Sequence, residues 1–254
     1  MQSIDRKPFQ GVLNVVKFNW QFYVLGFVSV VALTLVRPYV HGYWQNVAVV
    51  LSAVVVLAVI VSVLSTFYAY DHSDFYSLNW LPLGIKKDAR VINIHAGFDE
   101  TSEIISKKFG LVDLSVLDFY DQKKHTEISI KRARNQGAVF AGTRTTSTEK
   151  IELDANSADY IFLILAAHEI RNEHERIGFF KQLGVALRNN GRIIVAEHLR
   201  NTPNFVAYNI GFFHFFSRTA WRRTFALAGI SLISELRINP FITAFILEKD
   251  GATT

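Results

Sequence analysis

ARVINIHAGFDETSEIISKKFG, residues 89–110, decides the fold. Val91 to Ile94 is a short apolar run, suited to a buried strand and too short for a helix. Gly97 supplies a turn. A helix is predicted to begin between Asp99 and Ser102, whose side chains cap free backbone N–H groups and whose acids favour the positive end of the helix dipole. The next apolar stretch, LSVLDFYD (114–121), reads as a second strand ending at Asp118. Strand, glycine turn, helix, strand and then an acid some 20 residues beyond the glycine is the nucleotide-site layout of a doubly wound α/β sheet.

Downstream, the alternation continues. KKHTEISIKRARNQG (123–137) is expected as an exposed helix, and DYIFLILAAHEI (159–170) as an apolar strand entering a loop. RNEHERIGFFKQLGVALRNNGRIIVAEHLR (171–200) supplies an amphipathic helix, a turn at Asn189, Asn190 and Gly191, and a strand from about Arg192 to Ala196. Asn and Gly tolerate the positive φ of such a turn. Strands alternating with helices of this length argue for a parallel sheet covered on both faces.

Upstream lie two uncharged apolar runs. The first is Phe18 to Val36, between Lys17 and Arg37; the second runs from about Val47 to Tyr70 and stops at Asp71. Each has the roughly 20 residues that a helix needs to cross hydrocarbon, and neither carries a charge that lipid would penalise. The sequence therefore predicts a doubly wound Rossmann-like sheet preceded by two transmembrane helices. A cleaved signal peptide fits poorly, because the first run is long and a second follows. Trp20, Tyr23, Tyr39, Tyr43 and Trp44 stand near the span ends, where such rings favour the interface. One fixed charge, Arg37, lies between the spans, against Arg6, Lys7, Lys17, Lys86, Lys87 and Arg90 on the flanks, so both flanks are expected on the cytoplasmic side. Small residues in the second span (Ala48, Ser52, Ala53, Ala58, Ser62) suit helix packing or a homodimer. The expected division is an anchor over 1–70, a connector over 71–87 that either lies at the interface with Phe75, Tyr76 and Trp80 at headgroup depth or simply covers the core, and an α/β domain over 88–254.

The 254 residues are half hydrophobic, with net charge +5 and no cysteine. The absence of cysteine excludes disulfides, thiolate metal sites and a cysteine nucleophile, and no metal site is expected. The basic excess is scattered, which argues against nucleic acid and fits anionic headgroups.

The order of these motifs resembles the class I S-adenosylmethionine (SAM)-dependent methyltransferases over most of residues 88–249. VINIHAGFDETS stands at the place of that family's cofactor loop, LSVLDF with Asp118 at its acidic second strand, and IELDANSADYIFLILAAHEI along its active-site edge. FFKQLGVALRNNGRIIVAEH, TAWRRTFALAGISLISELR and FITAFILEK are similar to its later helices and strands. The resemblance implies SAM as cofactor, held by Asn93, His95, Ala96, Gly97, Asp99, Asp118 and Phe119. This chain departs from the family at Asn93, where an acid is usual, and at His95 and Asp99, where glycines are usual. Asp99 or Glu100 is expected to supply the missing charge, and Thr145 and Thr146 stand where an acid would read the adenine.

Methyl transfer depends mostly on alignment, with a base needed only where the acceptor must lose a proton. His168, His198 beside Glu197, and His214 lie on segments expected at the carboxyl edge of the sheet, and histidine titrates in the useful range. Each alone reads more readily as a loop-anchoring hydrogen-bond site than as a base, and the three gain weight as a set on one edge. The aromatic run Phe205 to Phe216 reads as an acceptor pocket, a membrane-dipping segment or a buried amphipathic helix. The expected activity is methylation, preferably at oxygen, of a hydrophobic acceptor dissolved in the bilayer: a phenol, a quinone-like ring or a lipid-linked intermediate. The rivals are a non-catalytic membrane scaffold with a degenerate methyltransferase fold, and a nicotinamide-binding protein.

Overall fold

The computed structural model describes residues 6–82, 84–110, 113–136 and 139–250. Leu83, in the aromatic connector, and Gly137, at the end of the expected exposed helix, lie outside them. The chain opens with α1 (Gln10–Phe18), α2 (Trp20–Val36) and α3 (Tyr43–Phe67), the last extended by a π-helical turn over Tyr68–His72. Trp20–Tyr39 and Tyr43–His72 are long and apolar enough to cross a membrane. None of the apolar window of the first is buried and only 6% of the second, so these are not core helices of the domain. They pack on each other at Gly26, where an added Cβ would lie 3.5 Å from both Val55 and Val59.

The remainder is one seven-stranded sheet of β1 (Arg90–His95), β2 (Asp113–Asp118), β3 (Arg144–Thr145), β4 (Ala158–Ile164), β5 (Leu187–His198), β6 (Ile230–Arg237) and β7 (Ile242–Lys249). The spatial order is β3-β2-β1-β4-β5-β7-β6. The first five are parallel, and β7 runs antiparallel between β5 and β6. The winding reverses between β1 and β4, the place where doubly wound sheets bind ligands at their carboxyl edge.

Side-chain alternation divides the core in two. On one face Ile92, Ile94, Ile161, Leu163, Ile193, Val195 and Phe245 meet α6 (Glu173–Ala186) and α8 (Arg218–Leu227) through Phe179, Phe180, Leu183, Trp221 and Phe225. On the other, Val91, Phe162, Ile194, Ala244 and Ile246 meet Ile104 and Ile105 of α4 (Ser102–Phe109) together with Phe75, Tyr76, Leu78 and Leu81.

That second face favours the core-covering reading of the connector. Phe75 is 1% exposed and Tyr76 6%, so both rings seal the sheet. Residue 70 is also not where packing changes. The Asp71 carboxylate accepts from Gly11 N at 2.7 Å and Val12 N at 2.9 Å, capping α1, a helix the sequence reading did not anticipate. An added Cβ at Gly11 would stand 2.4 Å from Tyr70 Cβ, so only glycine admits this approach. Glu100 gathers Arg6, Gln10, Asn14 and Tyr76 on its two oxygens. The N-terminal segment and the sheet thus share polar contacts at Glu100.

Two further differences are local. The expected exposed helix is a shorter, half-covered α5 (Ile128–Arg134), because Arg132 donates to Phe18 O at 2.7 Å at the end of α1. The Asn-Gly turn lies inside β5 as a register shift, with Asn190 at φ 66. Beyond β5, the aromatic run forms α7 (Thr202–Tyr208) and a 3-10 turn over Asn209–His214, with Phe205, Val206, Ile210 and Phe213 exposed and α7 packed beside α3. It is neither a single helix nor fully buried.

Candidate active site

The carboxyl edge carries two polar clusters. The first surrounds β1 and β2. Asn93, fully buried, donates through Nδ2 to Ser102 Oγ at 2.7 Å and Thr101 Oγ1 at 3.0 Å, fastening the start of α4. Asp99 Oδ1 accepts from Thr101 N at 3.0 Å and Ser102 N at 2.9 Å, which caps the same helix. His95 Nδ1 accepts from Gly97 N at 3.1 Å, so its hydrogen is assigned to Nε2. Burial lowers the His95 pKa against the pull of Asp99 and Asp118, leaving a neutral ring.

Three buried polar atoms here have no hydrogen-bond partner among the described residues: Asn93 Oδ1, His95 Nε2 and Asp99 Oδ2. His95 Nε2 and Asp99 Oδ2 face each other at 4.0 Å, a donor and an acceptor too far apart to satisfy one another. Buried polar groups are normally paired, so these fit a polar ligand with both donors and acceptors. Of the two acids expected to supply charge, Asp99 retains a free oxygen, and Glu100 is committed to α1.

At the end of β2, Asp118 Oδ1 accepts from Tyr120 N at 2.9 Å and Oδ2 pairs with Arg134 Nη1 at 2.6 Å. Arg134 stacks on Tyr120, 4.6 Å from its centroid, and both lie 3.0 Å from a Cβ built on Gly97, whose φ is +90°. The expected ribose acid is therefore present but paired, and its partner Arg134 was not anticipated. Ala96 and Phe119 are buried; the Phe119 ring packs on Phe179 at 5.6 Å, leaving only its backbone at the edge. A cleft of about 290 Å³ adjoins them, lined by residues 119–122, Lys124 and 145–148. Thr145 and Thr146 lie on it, where the adenine-reading substitutes were expected.

The second cluster lies beyond β4 and β5 and unites three of the four expected catalytic residues. His168, on the 3-10 turn Ala167–Glu169, holds Glu197 Oε2 through Nδ1 at 2.6 Å; Glu197 is fully buried and also accepts His168 N at 3.2 Å. His214 reaches in from the end of the 3-10 turn after α7, its Nδ1 2.6 Å from Glu127 Oε1 and its ring 4.9 Å from that of His168. Burial disfavours the charged form of His168, but Glu197 and Glu169 outweigh it and raise the pKa to about 10. A group held protonated at neutral pH is not a resting base. His214 is raised for the same reason, by Glu127 and Glu169 against burial. Burial raises Glu169, yet the two imidazoles beside it hold it well below the usual carboxylate range.

His198 stands apart. Its Nδ1 faces two carbonyl oxygens, Phe241 O at 3.0 Å and Asn204 Oδ1 at 3.2 Å, so Nδ1 donates and Nε2 accepts from Tyr70 Oη at 2.6 Å. Burial lowers its pKa to about 4. With both nitrogens engaged, His198 anchors the loop. Glu127, Glu169 and Tyr70 were missed as site residues. Glu169 stood beside His168 in the sequence; Glu127 and Tyr70 come from distant segments with no local signal.

No protein-family model matches the sequence, and no curated protein matches it either. Solved structures do match. A SAM-dependent methyltransferase from Aquifex aeolicus aligns with TM-score 0.53 at 14% identity, over 75% of this chain and 97% of that one. A chain of the Haloferax volcanii complex between a methyltransferase and its activator aligns with TM-score 0.52 at 11% identity, over 73% and 97%. With this strand order, these likenesses establish that the chain has the fold of the SAM-dependent methyltransferases.

Proposed function

We propose that the chain is a membrane-anchored SAM-dependent methyltransferase acting on a hydrophobic acceptor that reaches it from the bilayer. The observation that carries this reading is the Tyr70–His198 hydrogen bond. It ties the end of the second apolar helix to the sheet edge that also holds His168 and Glu197. Exposed Phe205, Val206, Ile210 and Phe213 continue the apolar surface of the helices beside that edge. An acceptor leaving lipid along this surface would meet His214 and His168 without crossing water.

SAM would supply a methyl group already activated on a sulfonium. Asp99 Oδ2 and His95 Nε2 would take its amino-acid end, Asp118 the ribose, and the cleft at Thr145 and Thr146 the adenine; Arg134 would have to leave Asp118 first. At the acceptor end, His168 and His214 bring imidazole nitrogens that would hold an acceptor hydroxyl, which supports O-methylation. Placing the enzyme where its acceptor dissolves raises the concentration each meets. Both flanks of the helical hairpin would face the cytoplasm.

The Arg134–Asp118 pair is the observation that favours the rival, a non-catalytic scaffold whose cofactor site is closed. Methyl transfer separates the two. Full-length protein in lipid nanodiscs, supplied with methyl-labelled SAM and a lipid-soluble phenol, should place label in the organic extract. Label only on a water-soluble phenol, or none on either, contradicts the proposal.

A further inference from the structure

We propose that His168, Glu169 and His214 bind a divalent transition-metal ion of the zinc type at the acceptor end of the site. The Nε2 atoms of both histidines point at one oxygen, Glu169 Oε1, at 3.5 and 3.6 Å. These separations are too long for good N–H···O hydrogen bonds, which cluster near 2.9 Å. They match two ligands on one ion: donors about 2.0–2.1 Å from a tetrahedral zinc stand roughly 3.4 Å apart. The three ligand atoms lie within 4.8 Å of one another.

The surroundings fit the same reading. Metal-bound histidines almost always give their other nitrogen to a carboxylate or carbonyl, which fixes the ring and raises its basicity. Here His168 Nδ1 is held by Glu197 at 2.6 Å and His214 Nδ1 by Glu127 at 2.6 Å, leaving each Nε2 for the ion. The Arg171 guanidinium serves the frame, donating to the backbone oxygens of His168 and His214.

Charge argues alike. Three carboxylates and the Arg171 guanidinium surround two imidazoles, giving −2 with neutral rings, and Glu197 is fully buried. Two protons on the rings bring this to zero, and one dication does the same while releasing those protons. Two histidines and one glutamate leave an open position on the ion, the pattern of catalytic rather than structural zinc. An acceptor hydroxyl held there would have its pKa lowered. That consequence rests on the methyltransferase reading, whereas binding of the ion does not.

The test is titration of ZnCl2 into chelator-treated, detergent-purified full-length protein at pH 7, followed by calorimetry in two buffers of different ionisation enthalpy. Expected are about one ion per chain, proton release, and affinity at least tenfold weaker in His214→Ala and Glu169→Gln. Glu197→Gln should weaken it about 10- to 100-fold through His168. Zn2+ should also raise the Tm of the parent protein but not of His214→Ala, and if His214→Ala fails to fold, Glu169→Gln takes its place in both measurements. No saturable binding, or equal affinity in parent and variants, overturns the proposal. A SAM titration on the same sample separates the readings: zinc without SAM keeps this site and sinks the methyltransferase reading, and SAM without zinc does the reverse.

Discussion

Tyr70 Oη donates to His198 Nε2 at 2.6 Å, joining the π-helical turn that extends α3 to the carboxyl end of β5. His198 is 4% exposed, so loss of this donor leaves a buried acceptor unsatisfied. Tyr70→Phe is expected to cost about 1–3 kcal/mol. Thermal unfolding in detergent should show Tm lower by several degrees, with SAM affinity unchanged because the proposed cofactor site lies at β1 and β2. An unaltered Tm would show that the bond does not hold the two parts together.

Stability should peak near pH 6.5. His168 rises from 6.5 to about 10 on folding, so its contribution is whole below pH 6.5 and is lost as pH climbs toward 10. His198 falls from 6.5 to about 4, so between those values the unfolded chain binds more protons and stability drops as pH falls. Glu169, held low, adds a further loss below its ordinary 4.5. Denaturant titrations across pH 4–10 with chelator present should trace the maximum, and Glu197→Gln should flatten the alkaline limb. Stability climbing steadily from pH 6.5 to 9 would contradict the His168–Glu197 geometry.

Arg134 competes with any ligand for Asp118. Arg134→Ala removes an ion pair with a 41% exposed guanidinium, where such pairs contribute little to stability. Its Tm should therefore barely change, and SAM should bind as tightly as in the parent or more so. Weaker binding would mean that the arginine holds the cofactor itself.

Gly11→Ala should loosen α1. Its Cβ would overlap Tyr70 Cβ at 2.4 Å, and the Asp71 cap would be displaced. A cost of about 0.5–2 kcal/mol is expected from the cap alone. Proteolysis within residues 6–18 should accelerate, while Asp71→Ala should resemble it. Protection equal to the parent's in both would remove α1 from the structural framework.

The sheet was legible from residue 89 onward because apolar runs, Gly97 and the acids carry local signals, and period-two burial follows from them directly. The two long helices were legible from length and missing charge. The role of residues 71–82 was not, because aromatic residues suit both an interface and a core, and only packing on β4 and β7 decides between them. His168, Glu197 and His214 were found as edge residues, yet their common centre, Glu169, was passed over. Glu127 and Tyr70 were invisible for a simpler reason: each reaches the site from a segment remote in sequence, and tertiary placement leaves no mark on local pattern. Arg134 on Asp118 is likewise a contact between two elements that the sequence orders but does not bring together.

The most direct measurement is SAM binding by calorimetry on detergent-purified full-length protein, with Asp118→Ala alongside. Losing a charge-assisted hydrogen bond worth about 1.5–3 kcal/mol should weaken affinity at least tenfold. Micromolar binding in the parent that Asp118→Ala reduces by that factor is the expected result. No binding of SAM or of its demethylated product, or binding untouched by the substitution, contradicts the methyltransferase reading.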